Sequence, residues 1–209
     1  MYRERPNLMI GFHGCDESVR DDLVNKPDNV KSSQEAFDWL GHGFYVWENN
    51  YTRALQWAKD KNKRGVLDHP SVVGVVYQLN NCLDFTDSEY INLLGSYFEL
   101  MKQDFKLSER DLPKNKNLPN DKNHDLILRE LDCAVIQYLH QMIDEEIIQK
   151  NIEKGFSLLK RFDTERGIFT EGGPAFEGAG IQSKNHIQIC IRNFNCIKGF
   201  FIPRKDVAF

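Results

Sequence analysis

The 209-residue chain has no apolar run approaching the roughly 20 residues that a membrane-spanning helix requires. It has no excess of basic charge: 27 Lys and Arg stand against 31 Asp and Glu, a formal net charge of −4. That balance excludes a strongly cationic nucleic-acid coat, though not a local basic groove. Five cysteines occur, Cys15, Cys82, Cys133, Cys190 and Cys196, with no CxxC spacing among them. Neither a zinc site nor a disulfide framework is therefore expected, and free thiols in a reducing cytosol are the simple reading. The opening MYRERPNLMIGFHG lacks the apolar core of a signal peptide. There is no internal repeat. These absences lead to the expectation of a cytoplasmic protein that binds no metal and no membrane.

The composition itself, 41% apolar and 28% charged, is that of a globular chain long enough to bury a core without staples. Leu8 to His13 (LMIGFH) reads as a short buried strand, followed by Asp16 as the N-cap of a helix from Glu17 to Asn25. Ser32 to Leu40 reads as loop with a helical turn. Gly41 to Trp47 (GHGFYVW) reads as a second strand entered through two glycines, and Tyr51 to Asn62 as a helix. Val72 to Leu79 is the clearest strand by its β-branched content. Asp87 to Gln103 is expected to be helical, Lys106 to Asp125 a long surface loop, and Leu126 to Glu153 the strongest helix. In that last segment Leu128, Leu131, Val135, Tyr138 and Leu139 fall on one stripe, and a break follows near Gly155. Gly167 to Gly173 reads as a strand into a turn, and Pro174 to Asn185 as a loop. His186 to Arg192 alternates like a half-buried strand, with Cys196 to Pro203 expected beside it as a hairpin. Strands at both ends with helices between them predict an α+β fold, a single domain over 1–209 with a helical insertion at about 84–160.

Three segments carry side chains suited to chemistry. His13-Gly14 closes the first strand, where glycine lets the backbone approach a ligand and the imidazole can bond a hydroxyl. Gly41-His42-Gly43-Phe44-Tyr45-Val46-Trp47 puts an aromatic strand behind a tight turn, and Tyr45 can stack on a flat ligand or simply fill the core. In His186-Ile187-Gln188-Ile189-Cys190-Ile191, the period of two sets His186, Gln188 and Cys190 opposite the three isoleucines, offering the Gln188 amide either to a ligand or to solvent.

In this order the segments resemble the diphtheria-toxin and poly(ADP-ribose) polymerase branch of the ADP-ribosyltransferases, which carries a His-Tyr-Glu signature on three strands. His13-Gly14 is similar to its first motif. GHGFYVWENNYTRALQW is similar to its tyrosine strand and the small-residue helix after it, with Tyr45 at the signature tyrosine and Ala54 nine residues on. Counting back from the Asn195-Cys196-Ile197 turn, the position of the family's glutamate falls on Gln188, so the signature here is His-Tyr-Gln. The resemblance implies a split β-sheet core with flanking helices and NAD+ as substrate, without metal. It implies that His13 binds the adenosine-side ribose, that Gly14 and Gly43 border the ligand, and that Tyr45 stacks on nicotinamide with Trp57 as a second aromatic. Gln188 then holds a ribose hydroxyl. Glu171, Glu177 and Arg53 enter as further candidates: Glu171 as a carboxylate before the target loop or a plain surface turn residue, and Arg53 as a pyrophosphate contact or an ordinary ion-pair partner. Arg166 stands in the same position, with Asp163 or Glu165 as the expected pair. The implied activity is transfer of one ADP-ribose to a nucleic-acid or protein acceptor, in the manner of a bacterial toxin or phage-defence effector with an antitoxin protein as candidate partner. A non-catalytic NAD+-binding or interaction module is the alternative, because an amide stands where the family has a carboxylate.

Overall fold

The structure is a computed structural model describing residues 4–5, 7–119 and 121–204. Strand β1 (Glu4–Arg5) is followed by β2 (Met9–Asp16), whose last residue caps helix α1 (Glu17–Asn25): the Asp16 carboxylate accepts from the Ser18 N–H at 3.1 Å. Strand β3 (Phe44–Glu48) leads through the cap residue Asn50 into α2 (Tyr51–Lys63), and β4 (Pro70–Tyr77) and β5 (Asn80–Asp84) follow. Helix α3 (Ser88–Leu107), the short strands β6 (Asn115–Lys116) and β7 (Leu128–Arg129), and α4 (Glu130–Lys154) come next. Strands β8 (Thr164–Phe169), β9 (His186–Ile191) and β10 (Ile197–Phe201) complete the order.

Eight strands form one mixed sheet in the order β1-β5-β8-β9-β3-β2-β4-β10. Among the described residues β5 and β8 are the parallel pair. A parallel pair needs a long crossover, which α3 and α4 supply. The protein is therefore α+β, with four α-helices among the described residues. No helix there is long and apolar enough to cross a membrane.

Alternation sorts the side chains onto two faces. Val73, Val75, Tyr77, Phe44, Val46, Ile189 and Ile191 share one core with Leu23 of α1. On the other face Trp47 and Val72 pack under Ala54 of α2, while Leu83 packs with Leu139, Ile143 and Ile147 of α4. Helices α2 and α4 thus cover two parts of the same face, and β3 and β9 run between them.

Two expectations are corrected here. Strands β9 and β10 do not form a hairpin: β9 pairs with β3 and β8, and β10 pairs with β4 three strands away from β3's partner edge. Asn193 ties the connection down through its bonds to Asp163, and Phe194–Cys196 forms a 3-10 turn. Six peptide steps reach about 20 Å when extended and less when turned, so the sheet must curl to bring the end of β9 within reach of β10. Nor is 106–125 wholly loop: α3 continues to Leu107, and Asn115–Lys116 pairs with Leu128–Arg129, which leaves Leu128 on a strand ahead of the helix. Asn120 lies outside the described residues. The buried side of α4 is Cys133, Val135, Ile136, Leu139, His140, Ile143 and Ile147, so Val135 and Leu139 alone of the expected stripe are fully buried. Gly155, at φ 76°, ends the helix as expected.

Leu139 is fully buried where α4 meets β5. Leu139→Ala should cost about 2–5 kcal/mol in urea denaturation. An unchanged midpoint would mean that α4 does not pack on this sheet.

Candidate functional site

Strands β2 and β4 pair without interruption from Met9↔Tyr77 to Asp16↔Pro70, but β2 and β3 pair only at Gly11↔Glu48 and Phe12↔Trp47. The sheet parts at the next residue, His13. Its Nδ1 lies 2.7 Å from the Tyr45 carbonyl and takes the place of the missing ladder bonds. A carbonyl only accepts, so Nδ1 carries the proton and, in the neutral ring, Nε2 is left as an acceptor. Burial is the main reason the His13 pKa falls to about 4; the bond to Tyr45 opposes that shift and nearby Lys61 adds to it. The imidazole is neutral at physiological pH.

The face between α2 and α4 carries a cluster of rings and charges, most of it buried. Paired positions set Tyr45, Cys190 and Glu165 in one row, Trp47, Gln188 and Gly167 in the next, and His186 beside Phe169 in the third. Trp39, from the segment before β3, donates its Nε1–H to Gln188 Oε1 at 2.6 Å. The Phe169 and His186 rings stack at 5.5 Å, and the Arg129 guanidinium lies 4.0 Å from the Phe169 centre. Arg53 donates through Nε (3.1 Å) and Nη2 to Glu171 Oε1, and both residues are buried. His186 Nδ1 lies 3.7 Å from the same carboxylate oxygen and 2.7 Å from the Lys184 carbonyl. Its pKa is lowered, chiefly by burial, with the Lys184 bond opposing. Among the described residues two buried donors on this side have no partner, Trp47 Nε1 and Arg53 Nη1.

The expected clamp of two facing rings is not what the structure contains. His13 points to the side of Val73 and Phe44, with ring centroids 4.5 Å apart in the latter case. The Tyr45 phenol points to the opposite side with Cys190. There it is buried, donating to the Gly41 carbonyl at 2.7 Å and accepting from the Leu40 N–H at 2.9 Å. Burial also raises its pKa well above that of a free phenol. Tyr45 thus anchors the glycine turn and offers no open ring face. Gly14 and Gly43 admit other parts of the protein rather than a ligand. A Cβ at position 14 would lie 2.2 Å from the Ala54 carbonyl, and one at 43 would lie 2.5 Å from Cys190 Sγ. Trp57 packs against Trp47 at 5.5 Å and carries Lys61 Nζ over its ring at 3.9 Å.

Glu171 is a buried ion-pair partner, not a surface turn residue, whereas Glu177 is exposed. Arg166 pairs with Glu48 (2.7 Å) and Asp84 (3.3 Å) instead of its sequence neighbours. All five cysteines are free and buried. Burial pushes the Cys15 thiol up to about 12, far from an activated nucleophile. His186 and Gln188 do share one face, as alternation requires, and that face carries the ring-and-charge cluster.

Trp39, Phe169 and Arg129 went unread in the sequence, as did the buried pair of His140 and Glu165, whose Nε2 and Oε1 stand 2.7 Å apart. A cavity of about 400 Å³ lies between α3 and α4 and is lined by Asp104, Tyr138 and Met142 among others. It is separate from the ring-and-charge cluster, which is the stronger candidate because it holds buried polar groups. No family model, curated protein or solved structure matches the chain.

The pH and charge properties lead to two measurements. The unfolded imidazole takes a proton at about 6.5 and the folded His13 ring only at about 4. Native stability is therefore full above pH 6.5 and falls as the pH drops toward 4. His186, also shifted down, acts in the same direction. His13→Gln keeps a donor for the Tyr45 carbonyl but removes the titration. Its stability should fall less steeply over this window, by up to about 1.4 kcal/mol per pH unit, in urea melts at a series of pH values. Arg53→Met or Glu171→Leu alone leaves a charge buried and should cost about 3–5 kcal/mol. The double variant should cost clearly less than the sum of the two, and strict additivity would show that the pair is not coupled.

Proposed function

We propose that the chain is an NAD+-dependent mono-ADP-ribosyltransferase of the ADP-ribosyltransferase-like split-sheet class, acting on a nucleic-acid or protein acceptor. One observation carries this reading. The three strands bearing His13, Tyr45 and Gln188 are neighbours, and the sheet opens at His13. The neutral imidazole keeps one acceptor nitrogen for a sugar hydroxyl. On the other face of the sheet from His13, Trp47 Nε1 and Arg53 Nη1 are donors suited to a carboxamide or phosphate oxygen of the dinucleotide. Arg53 is paired with Glu171, and Arg129 stands 3.9 Å from Asp132.

In the reaction the bond between nicotinamide and the ribose C1′ breaks, and its electron pair leaves with nicotinamide. The acceptor's nucleophile forms the new bond at C1′ and releases its proton. Positive charge develops on the ribose, as in glycoside cleavage. Gln188 can hold a ribose hydroxyl but brings no full charge, and a charge-assisted bond is roughly twice as strong as a neutral one. Glu171 is the carboxylate nearest in role, although Arg53 balances it. Chain elongation to a polymer is not part of this reading, because the supporting carboxylate is replaced by an amide. A toxin or phage-defence role, held in check by an antitoxin protein, fits such a transferase.

A non-catalytic NAD+-binding module is favoured by a separate observation: the Gln188 oxygen is engaged by Trp39 and the Glu171 carboxylate by Arg53. The two readings separate in one experiment, incubation with adenylate-labelled NAD+ and cell lysate followed by protease or nuclease. Transfer predicts macromolecular label that is abolished in a folded His13→Ala variant and increased in Gln188→Glu. Tight NAD+ binding with neither label nor free nicotinamide would establish the module. Label indifferent to His13 would remove the proposed site.

A further inference from the structure

The Trp39 indole is held from three sides. It lies over the backbone of Gly167, where an added Cβ would come within 2.6 Å of the ring. Phe169 meets it edge-on at 5.1 Å, and the Arg129 guanidinium stands 5.2 Å from its centre. From this socket Nε1–H points at Gln188 Oε1, 2.6 Å away. A carboxamide has two orientations that are nearly equal in shape but opposite in hydrogen-bonding sense. An indole N–H is only a donor, so it accepts one of them. The Gln188 oxygen must turn to Trp39, and the NH2 is what the side chain offers to a ligand.

We infer that Trp39 is a positioning residue that fixes the Gln188 amide, so that position 188 selects a ligand atom able to accept a hydrogen bond. The identity of that atom, an oxygen of the NAD+ ribose or carboxamide, rests on the proposed function; the orienting contact does not. A carboxylate at position 188 would behave differently. It has two equivalent oxygens, one to accept from Trp39 and one to face the ligand, and no wrong orientation exists for Trp39 to exclude. Trp39 should therefore matter when residue 188 is glutamine and matter little when it is a carboxylate.

The test uses the full chain, Trp39→Phe, which retains a ring over Gly167, and Gln188→Glu, Gln188→Leu and the Trp39→Phe/Gln188→Glu double variant. Three tryptophans, Trp39, Trp47 and Trp57, give three indole N–H signals in ¹⁵N-resolved NMR, and the one lost in Trp39→Phe is assigned. That signal should move in Gln188→Leu. In Gln188→Glu it should titrate with the carboxylate, at roughly pH 4–5. A signal indifferent to residue 188 would overturn the inference. With NAD+ as probe, Trp39→Phe should reduce kcat for nicotinamide release about tenfold, the scale of one well-made hydrogen bond, and by less than about twofold in the Gln188→Glu background. Equal losses in both backgrounds would reduce Trp39 to a packing residue and sink the orienting role. If no variant binds or cleaves NAD+, the proposed function falls, and the indole signal still decides the orienting contact.

Discussion

The parting of β2 from β3, and the imidazole that bridges it, constrain the rest of the molecule. While a ladder is intact, each residue's N–H and C=O are spoken for by the neighbouring strand. Beyond Phe12↔Trp47 that arrangement stops, and His13 supplies from its side chain a donor for the Tyr45 carbonyl. Strand β2 is then free to follow β4 for its whole length, while β3 follows β9. The glycine after the imidazole lets α2 press onto the same point, with the Ala54 carbonyl where any side chain would sit. Local chemistry at two residues therefore sets where the sheet opens and how closely a helix covers the opening.

Burial organises both faces of the sheet. Both imidazoles are pushed toward their neutral forms, each with Nδ1 at a backbone carbonyl, so each presents an acceptor nitrogen. The buried acids and bases have partners: Glu171 with Arg53, Glu165 Oε1 with His140, Arg166 with Glu48 and Asp84. Isolated charges at such depth would be far too costly. What is left unpaired is informative for the same reason. Among the described residues, the Trp47 indole N–H, one Arg53 guanidinium nitrogen and the second Glu165 carboxylate oxygen have no hydrogen-bond partner on this face.

Much of the secondary structure was legible in the sequence because its causes are local. The Asp16 cap, the left-handed Gly155 stop, the β-branched run from Val72 and the alternation in His186–Ile191 are set by neighbours a few residues away. The hairpin expectation failed because pairing is not local. Two strands joined by a short turn pair by default, and here Asn193, bound to Asp163, steers the chain away to the β4 edge. Glu171 failed for a related reason. A glutamate between a strand and two glycines has the composition of a surface turn, and nothing nearby in sequence discloses an arginine 118 residues away.

Sequence alone determined which residues alternate, which cap and which break, and hence that His186 and Gln188 share a face and that an imidazole ends a strand ahead of a glycine. These follow from backbone periodicity, which needs no knowledge of the rest of the chain. Tertiary structure decided which way each side chain turned once strands were paired. It sent the Tyr45 phenol into the glycine turn instead of toward a ligand, closed Arg53 onto Glu171, and brought Trp39 across 149 positions to the Gln188 amide. The register of neighbouring strands fixes these outcomes, and register depends on the packing of both sheet faces at once.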